Sequence, residues 1–211
     1  MPLTYKTSGG GEDFKRVPPG SHIAICNCVA DLGIQPGSGM YPSPKRQVFI
    51  RFEVPEERVE YEKDNKKYEG PIVIGKTYTA SMNEKANLRR DLESWRGREF
   101  TDEEAENFDV SSILGKAAML SVVETSKGDK TYSNIKSIGA LPKGFKAGKA
   151  ENPLLYYAPG DEDSYDKLPE WIRKKIDAQI KEDDRQVQYE GNDYQMDRGG
   201  DPGITDDDIP F

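Results

Sequence analysis

The sequence predicts a mainly β protein. Its body is a five-stranded Greek-key barrel with one helix between strands three and four and a long hairpin joining strands two and three. A C-terminal helix and a disordered acidic tail follow. Apolar residues alternate with a two-residue period at 21–34, 47–55, 76–82, 116–125 and 131–141, the signature of strands. A single segment with helical spacing, 83–98, falls between the third and fourth of these. Charge is unevenly spread. Residues 151–211 hold 17 acidic and 7 basic residues, a net of −10, whereas residues 1–150 hold 21 and 23, a net of +2. A mildly basic body with an acidic tail suggests a binding domain with a separate interaction segment.

Residues 1–20 form an arm, polar and glycine-rich, closed by Pro18-Pro19-Gly20; Phe14 and Val17 are the side chains able to pin it to the body. In 21–34, Ile23, Ile25 and Val29 alternate with Ala24, Cys26 and Cys28, so both faces are apolar, as in a strand with a core on each side. Cys26 and Cys28 would share a face of that strand and stay reduced. Residues 35–46 are a Gly-, Pro- and Ser-rich loop. In 47–55, Val48, Ile50, Phe52 and Val54 make a core face, and Phe49, Arg51 and Glu53 face the other way. The charged stretch 56–75 reads as a hairpin with its tip near Asp64-Asn65.

Asn83 is the expected N-cap of the helix. Leu88, Leu92 and Trp95 form its apolar stripe, which assigns Trp95 to the core, and Gly97 stops it. Thr101 and Glu104 have the spacing of a capping box for a second short helix ending near Phe108. Ser126–Lys130 turns the chain between the last two strands. Residues 142–163 have the composition of a linker. Trp171, Ile172, Ile176 and Ile180 then give a helix an apolar side, with Pro169 in its first turn. A helix this short needs a surface to dock on, either the barrel or another subunit. From Lys181 onward the composition is that of a disordered tail.

Strand, strand, strand, helix, strand, strand is the element order of the OB fold, here expected over 21–141. In that fold the face of strands two and three and the loops 1–2 and 4–5 hold oligonucleotides. Tyr41, Lys45, Arg46, Phe49, Arg51, Lys76, Tyr78, Lys127, Lys130, Tyr132 and Lys136 lie on those elements or beside them. Aromatic rings stack bases and lysine or arginine neutralises phosphates, so these are the candidate single-stranded-DNA contacts.

The chain ends Asp206-Asp207-Asp208-Ile209-Pro210-Phe211. This segment has too little apolar surface to fold alone and suits capture by a partner: Ile209 and Phe211 for a small pocket, the aspartates for its basic rim. The order matches the C-terminal tip of bacterial and phage single-stranded-DNA-binding proteins. Residues 14–141 also resemble a group of phage-encoded single-stranded-DNA-binding proteins. The resemblance is carried by DLGIQ at 31–35, YTASMNEKANLRRDLESWRGREFT at 78–101 and Ile113-Leu114-Gly115-Lys116. It implies a phage replication and recombination factor in the bacterial cytoplasm, with host or phage replication and recombination proteins as partners of the tip. Homo-oligomerisation stays open. So do a recombination-mediator or strand-annealing role and an adaptor role in which the barrel binds protein or sugar.

With one histidine and no nucleophile-elbow, phosphate-loop or zinc-protease motif, the chain is expected not to be an enzyme and to need no cofactor. Two cysteines and one histidine supply too few ligands for a structural metal. No signal peptide and no long apolar run predict a membrane segment.

Overall fold

Long stretches of alternating apolar residues become long strands. Residues 15–37, 42–63, 66–128 and 130–180 are described by the computed structural model of the chain. Its elements are β1 (Gly20–Gln35), β2 (Lys45–Lys63), β3 (Lys66–Thr79), α1 (Asn87–Arg96), α2 (Asp102–Glu106), a 3-10 turn at Val110–Ile113, β4 (Ala117–Lys127), β5 (Lys130–Gly139), β6 (Leu155–Tyr157), α3 (Glu162–Tyr165) and α4 (Glu170–Asp177). The protein is mainly β. Five antiparallel strands form one curled sheet in the order β3-β2-β1-β4-β5, and β3 approaches β5 where the curl brings its two ends together.

The expected hairpin extension is the continuation of β2 and β3 themselves, whose pairing runs on through Tyr61↔Tyr68 to Lys63↔Lys66. Asp64 and Asn65, its expected tip, lie outside the described residues, as do Phe14 and Tyr41. The expected core face of β2 is found: Val48, Ile50, Phe52 and Val54 are all buried, with Ala24, Cys26, Ala118, Leu120 and the α1 stripe Leu88, Leu92 and Trp95. Val17 joins this core, and its carbonyl accepts a hydrogen bond from Ser133 Oγ at 2.6 Å, which ties the arm to β5.

Helix α1 starts later than the sequence suggests. Asn83 is not its cap; Ala86 holds that position with no side-chain bond. The Asn83 side chain accepts from the Lys85 N–H at 3.3 Å and its carbonyl accepts from Ala86 N–H at 2.8 Å, closing a local turn that competes with helix. Gly97 ends the helix at φ 74°, and its N–H donates to the Glu93 carbonyl. The capping box of α2 is present, Thr101 Oγ1 accepting from Glu104 N–H and Glu104 accepting from Thr101 N–H.

Glu104 also accepts from Arg98 Nη2 at 2.6 Å and Arg96 Nη2 at 3.1 Å, and these two arginines hold its carboxyl at about 2, below the usual 4.5. A depressed folded pKa contributes stability that is present above the unfolded value and lost as pH falls through the folded one. The protection of the Thr101 and Glu104 amides against exchange, taken relative to the unfolded-chain rate at each pH, should therefore fall between pH 4.5 and 2. Glu104→Gln should abolish that acid response at these two amides. An unchanged response in the variant would remove Glu104 as its source.

A second core lies on the opposite face of β1 and β2. Cys28, Ala30 and Leu32 of β1 and Phe49 of β2 pack there with Leu155, Tyr157, Leu168, Ile172 and Ile176. Two features differ from expectation. Cys26 and Cys28 do not share a face, because the pairing of β1 with β2 steps at Asn27, Cys26 opposing Phe52 and Cys28 opposing Arg51. That β-bulge turns Cys26 into the first core and Cys28 into the second. Both thiols are free and buried, and desolvation pushes the pKa of Cys26 up to about 12 and raises that of Cys28. The stretch with linker composition, in turn, contributes β6, which runs parallel to β1 with Leu155 opposite Cys28 and Tyr157 opposite Ala30. The docking helix is α4, with Ile172 and Ile176 buried. A compact unit extends through Gln179; the second unit, Ile180–Phe211, lies outside the described residues except for Ile180.

Candidate nucleic-acid interface

Alternation along β2 puts Lys45, Gln47, Phe49, Arg51 and Glu53 on the face opposite the first core. Phe49 and Arg51 were expected to display a ring and a cation there. Phe49 is instead only 5% exposed. Its ring meets Trp171 edge to face, centroids 4.9 Å apart at 87°. It also leans over β3, where a Cβ on Gly75 would lie 2.2 Å from Phe49 Cζ, so the absent side chain is what admits the ring. Arg51 donates from Nε to Asn27 Oδ1 at 3.0 Å. Next to it Glu53 is fully buried and accepts from Glu151 N–H at 2.6 Å, Asn152 N–H at 2.9 Å, Asn152 Nδ2 at 2.8 Å and Asn27 Nδ2 at 3.3 Å. The physical reason for the correction is that residues 151–177 cover this face, and one strand's periodicity cannot reveal what a distant segment lays over it.

Tyr78 and Lys76 also turn out to be structural. Tyr78 is buried in the first core and donates to Asp91 Oδ2 at 2.7 Å; Lys76 Nζ donates to the same oxygen at 2.6 Å. Burial, reinforced by Asp91, raises the Tyr78 pKa, so the phenol stays protonated and donating. Together they fasten β3 to α1.

Exposed candidates collect at two strand ends. Lys45 and Arg46 open β2 beside the close of β1, in register with Gln35 and Ile34. Arg46 binds Asp31 with two donors, Nε at 2.9 Å and Nη2 at 2.6 Å. At the β4–β5 hairpin Lys127 faces Lys130 across the ladder, with Thr125 opposite Tyr132. Gly128, at φ 60°, makes that tight reversal possible. Tyr132 is 46% exposed, and Lys127 and Lys130 are exposed; Lys136, also exposed, lies further along β5 at the step in its pairing with β4. Arg16 joins them, its Nη1 donating to the Thr131 carbonyl at 2.6 Å. The candidate partner-binding residues 206–211 lie outside the described residues.

Two further aromatic features lie outside the expected candidates. Tyr61 and Tyr68 stack across the β2–β3 ladder, centroids 5.7 Å apart, and Tyr68 is exposed. Their equal spacing from the expected hairpin tip was the available signal. Trp171, expected on the apolar docking side of its helix with Ile172, Ile176 and Ile180, is instead 47% exposed, with its ring meeting Phe49. Among the described residues no helix is long and apolar enough to cross a membrane. No protein-family model, curated protein or solved structure matches the chain.

Proposed function

We propose that this protein is a sequence-tolerant single-stranded-DNA-binding protein of phage replication and recombination. In this reading its curled sheet is an OB-type barrel and its acidic tip recruits replication and repair proteins. The observation that carries the reading is the β4–β5 hairpin, where the exposed Tyr132 ring stands beside the opposed pair Lys127 and Lys130. A ring flanked by cations serves stacking and phosphate neutralisation together. The strand order β3-β2-β1-β4-β5, with α1 between β3 and β4, supports the barrel assignment, in which this hairpin is one of the two loops that meet oligonucleotide. Lys45 and Arg46 sit beside the other such loop.

The test is oligo-dT binding by fluorescence anisotropy at two salt concentrations. Affinity should fall with salt, and the double variant Lys127→Gln, Lys130→Gln should flatten that slope by about 1–2. Tyr132→Ala should cost about 1–3 kcal/mol. Deleting residues 181–211 should raise affinity mainly at low salt, since the segment is acidic and tethered. Phe211→Ala should spare DNA affinity and lose the proteins captured from a bacterial lysate. Wild-type protein without dT affinity would sink the proposal; a strand-annealing assay separates a coating role from annealing.

A further inference from the structure

We infer that Trp171, carried by α4, is a base-stacking residue for single-stranded nucleic acid, taking the place that periodicity suggested for Phe49. This rests on the nucleic-acid reading above and extends it to a segment outside the expected barrel. Helix α4 docks through the buried Ile172 and Ile176. Trp171, beside that stripe, keeps 47% of its surface in water although indole is costly to leave there. Its seat is firm: one side meets Phe49 at 4.9 Å, and Phe49 is wedged over Gly75. A ring held this way stacks a base with little further loss of entropy.

A cation stands beside it. Lys175, one turn along α4, holds its Nζ 5.9 Å from the indole centroid. The Lys175 carbonyl accepts from Gln35 Nε2 at 2.9 Å, and Gln35 is the ladder partner of Lys45. Lys45 lies on the same face of β2 as Phe49. The backbone of α4 at Lys175 is therefore tied to the strand end that Lys45 opens, while Trp171 sits further along β2 at Phe49. An aromatic face with the Lys175 amine beside it suits a nucleotide in a single strand, whose base is unpaired and whose backbone is charged.

The chain offers its own reporter. It has two tryptophans, and Trp95 is buried with Nε1 donating to the Ala117 carbonyl at 2.7 Å. Titrating the full chain with oligo-dT should quench tryptophan emission, and Trp171→Phe should remove most of the quenching. Trp171→Ala should weaken oligo-dT binding about 5- to 150-fold by anisotropy, the span expected for one stacked base. Because Trp171→Ala also trims the contact to Phe49, its melting curve is recorded alongside. Trp171→Phe keeps an aromatic seat and supplies the quenching result whatever the stability of the alanine variant. Lys175→Gln should reduce the salt slope by about 1. If the Trp171→Phe protein is quenched as strongly as wild type, or if wild type binds oligo-dT with no quenching, Trp171 does not stack and the inference is overturned. Wild type that fails to bind oligo-dT at all would instead overturn the nucleic-acid reading, and this inference with it.

Discussion

Glu53→Ala lowers the melting temperature by roughly 6–20 °C, the equivalent of about 3–5 kcal/mol for a chain of this length. The expectation follows from the count of donors that one carboxylate satisfies. Glu53 is fully buried and accepts from two backbone N–H groups, those of Glu151 and Asn152, and from the side chains of Asn152 and Asn27. Removing it strands these donors away from water, at about 1–3 kcal/mol each where no water enters. Asn27 is itself fully buried and shared with Arg51, so the loss spreads along β2. Arg58 retains a hold on the same segment, its Nη1 donating to Glu151 Oε1 at 2.6 Å, so the segment should loosen without leaving. Glu53→Gln keeps the volume but turns an NH₂ toward donors, and its melting temperature should fall between wild type and Glu53→Ala. Thermal melts followed by circular dichroism decide the matter, with limited proteolysis reporting on residues 142–154. A Glu53→Ala protein melting within about 3 °C of wild type would show that the donors find other partners.

The second large effect is expected at Ile172. It is fully buried in the core between α4 and the sheet, and truncation to alanine should cost about 2–5 kcal/mol. The consequence that identifies the mechanism is chemical. Cys28 lies under α4, whereas Cys26 points into the first core, where burial holds its pKa near 12. A thiol kept protonated by burial does not alkylate at neutral pH. Loosening α4 by Ile172→Ala exposes Cys28 while leaving the first core closed, a local opening below the global unfolding energy. Iodoacetamide at pH 8 followed by peptide mass spectrometry should modify Cys28 well before Cys26 in the variant, and neither in wild type. Equal rates at the two cysteines would mean that α4 and the sheet open as one cooperative unit.

Much of the sheet is written locally, which is why it could be read. The alternation from Val48 to Val54, the paired spacing around Lys63 and Lys66, and the stop at Gly97 each follow from a few adjacent residues. The second core could not be read in the same way. Phe49, Arg51 and Glu53 have the ordinary look of a solvent face, and the segment that covers them begins about a hundred positions later, at Glu151. Nothing near Cys26 and Cys28 signals the bulge between them either. Asn27 is placed by Arg51 and Glu53, and those partners lie on another strand. The candidate site divides along the same line. Lys127, Lys130 and Tyr132 on a hairpin keep the exposure their local pattern suggests, whereas Phe49, Lys76 and Tyr78 take their roles from α4 and α1.

Strand β1 is paired on one edge with β2 and on the other with β4 at Gly20–Ile25 and β6 at Cys28–Ala30. During synthesis those two claims on one edge are met at very different times. The β4 half can close once residue 122 is available, but the Cys28–Ala30 half stays unpaired until Leu155–Tyr157 has emerged. Through that interval a growing chain carries a bare ladder edge next to the uncovered apolar side chains of Cys28, Ala30, Leu32 and Phe49. Such an edge is a template for pairing with another copy. Residues 155–157 thus close an edge of the first strand long after that strand is made, and a fragment stopped at residue 141 would carry that edge unpaired.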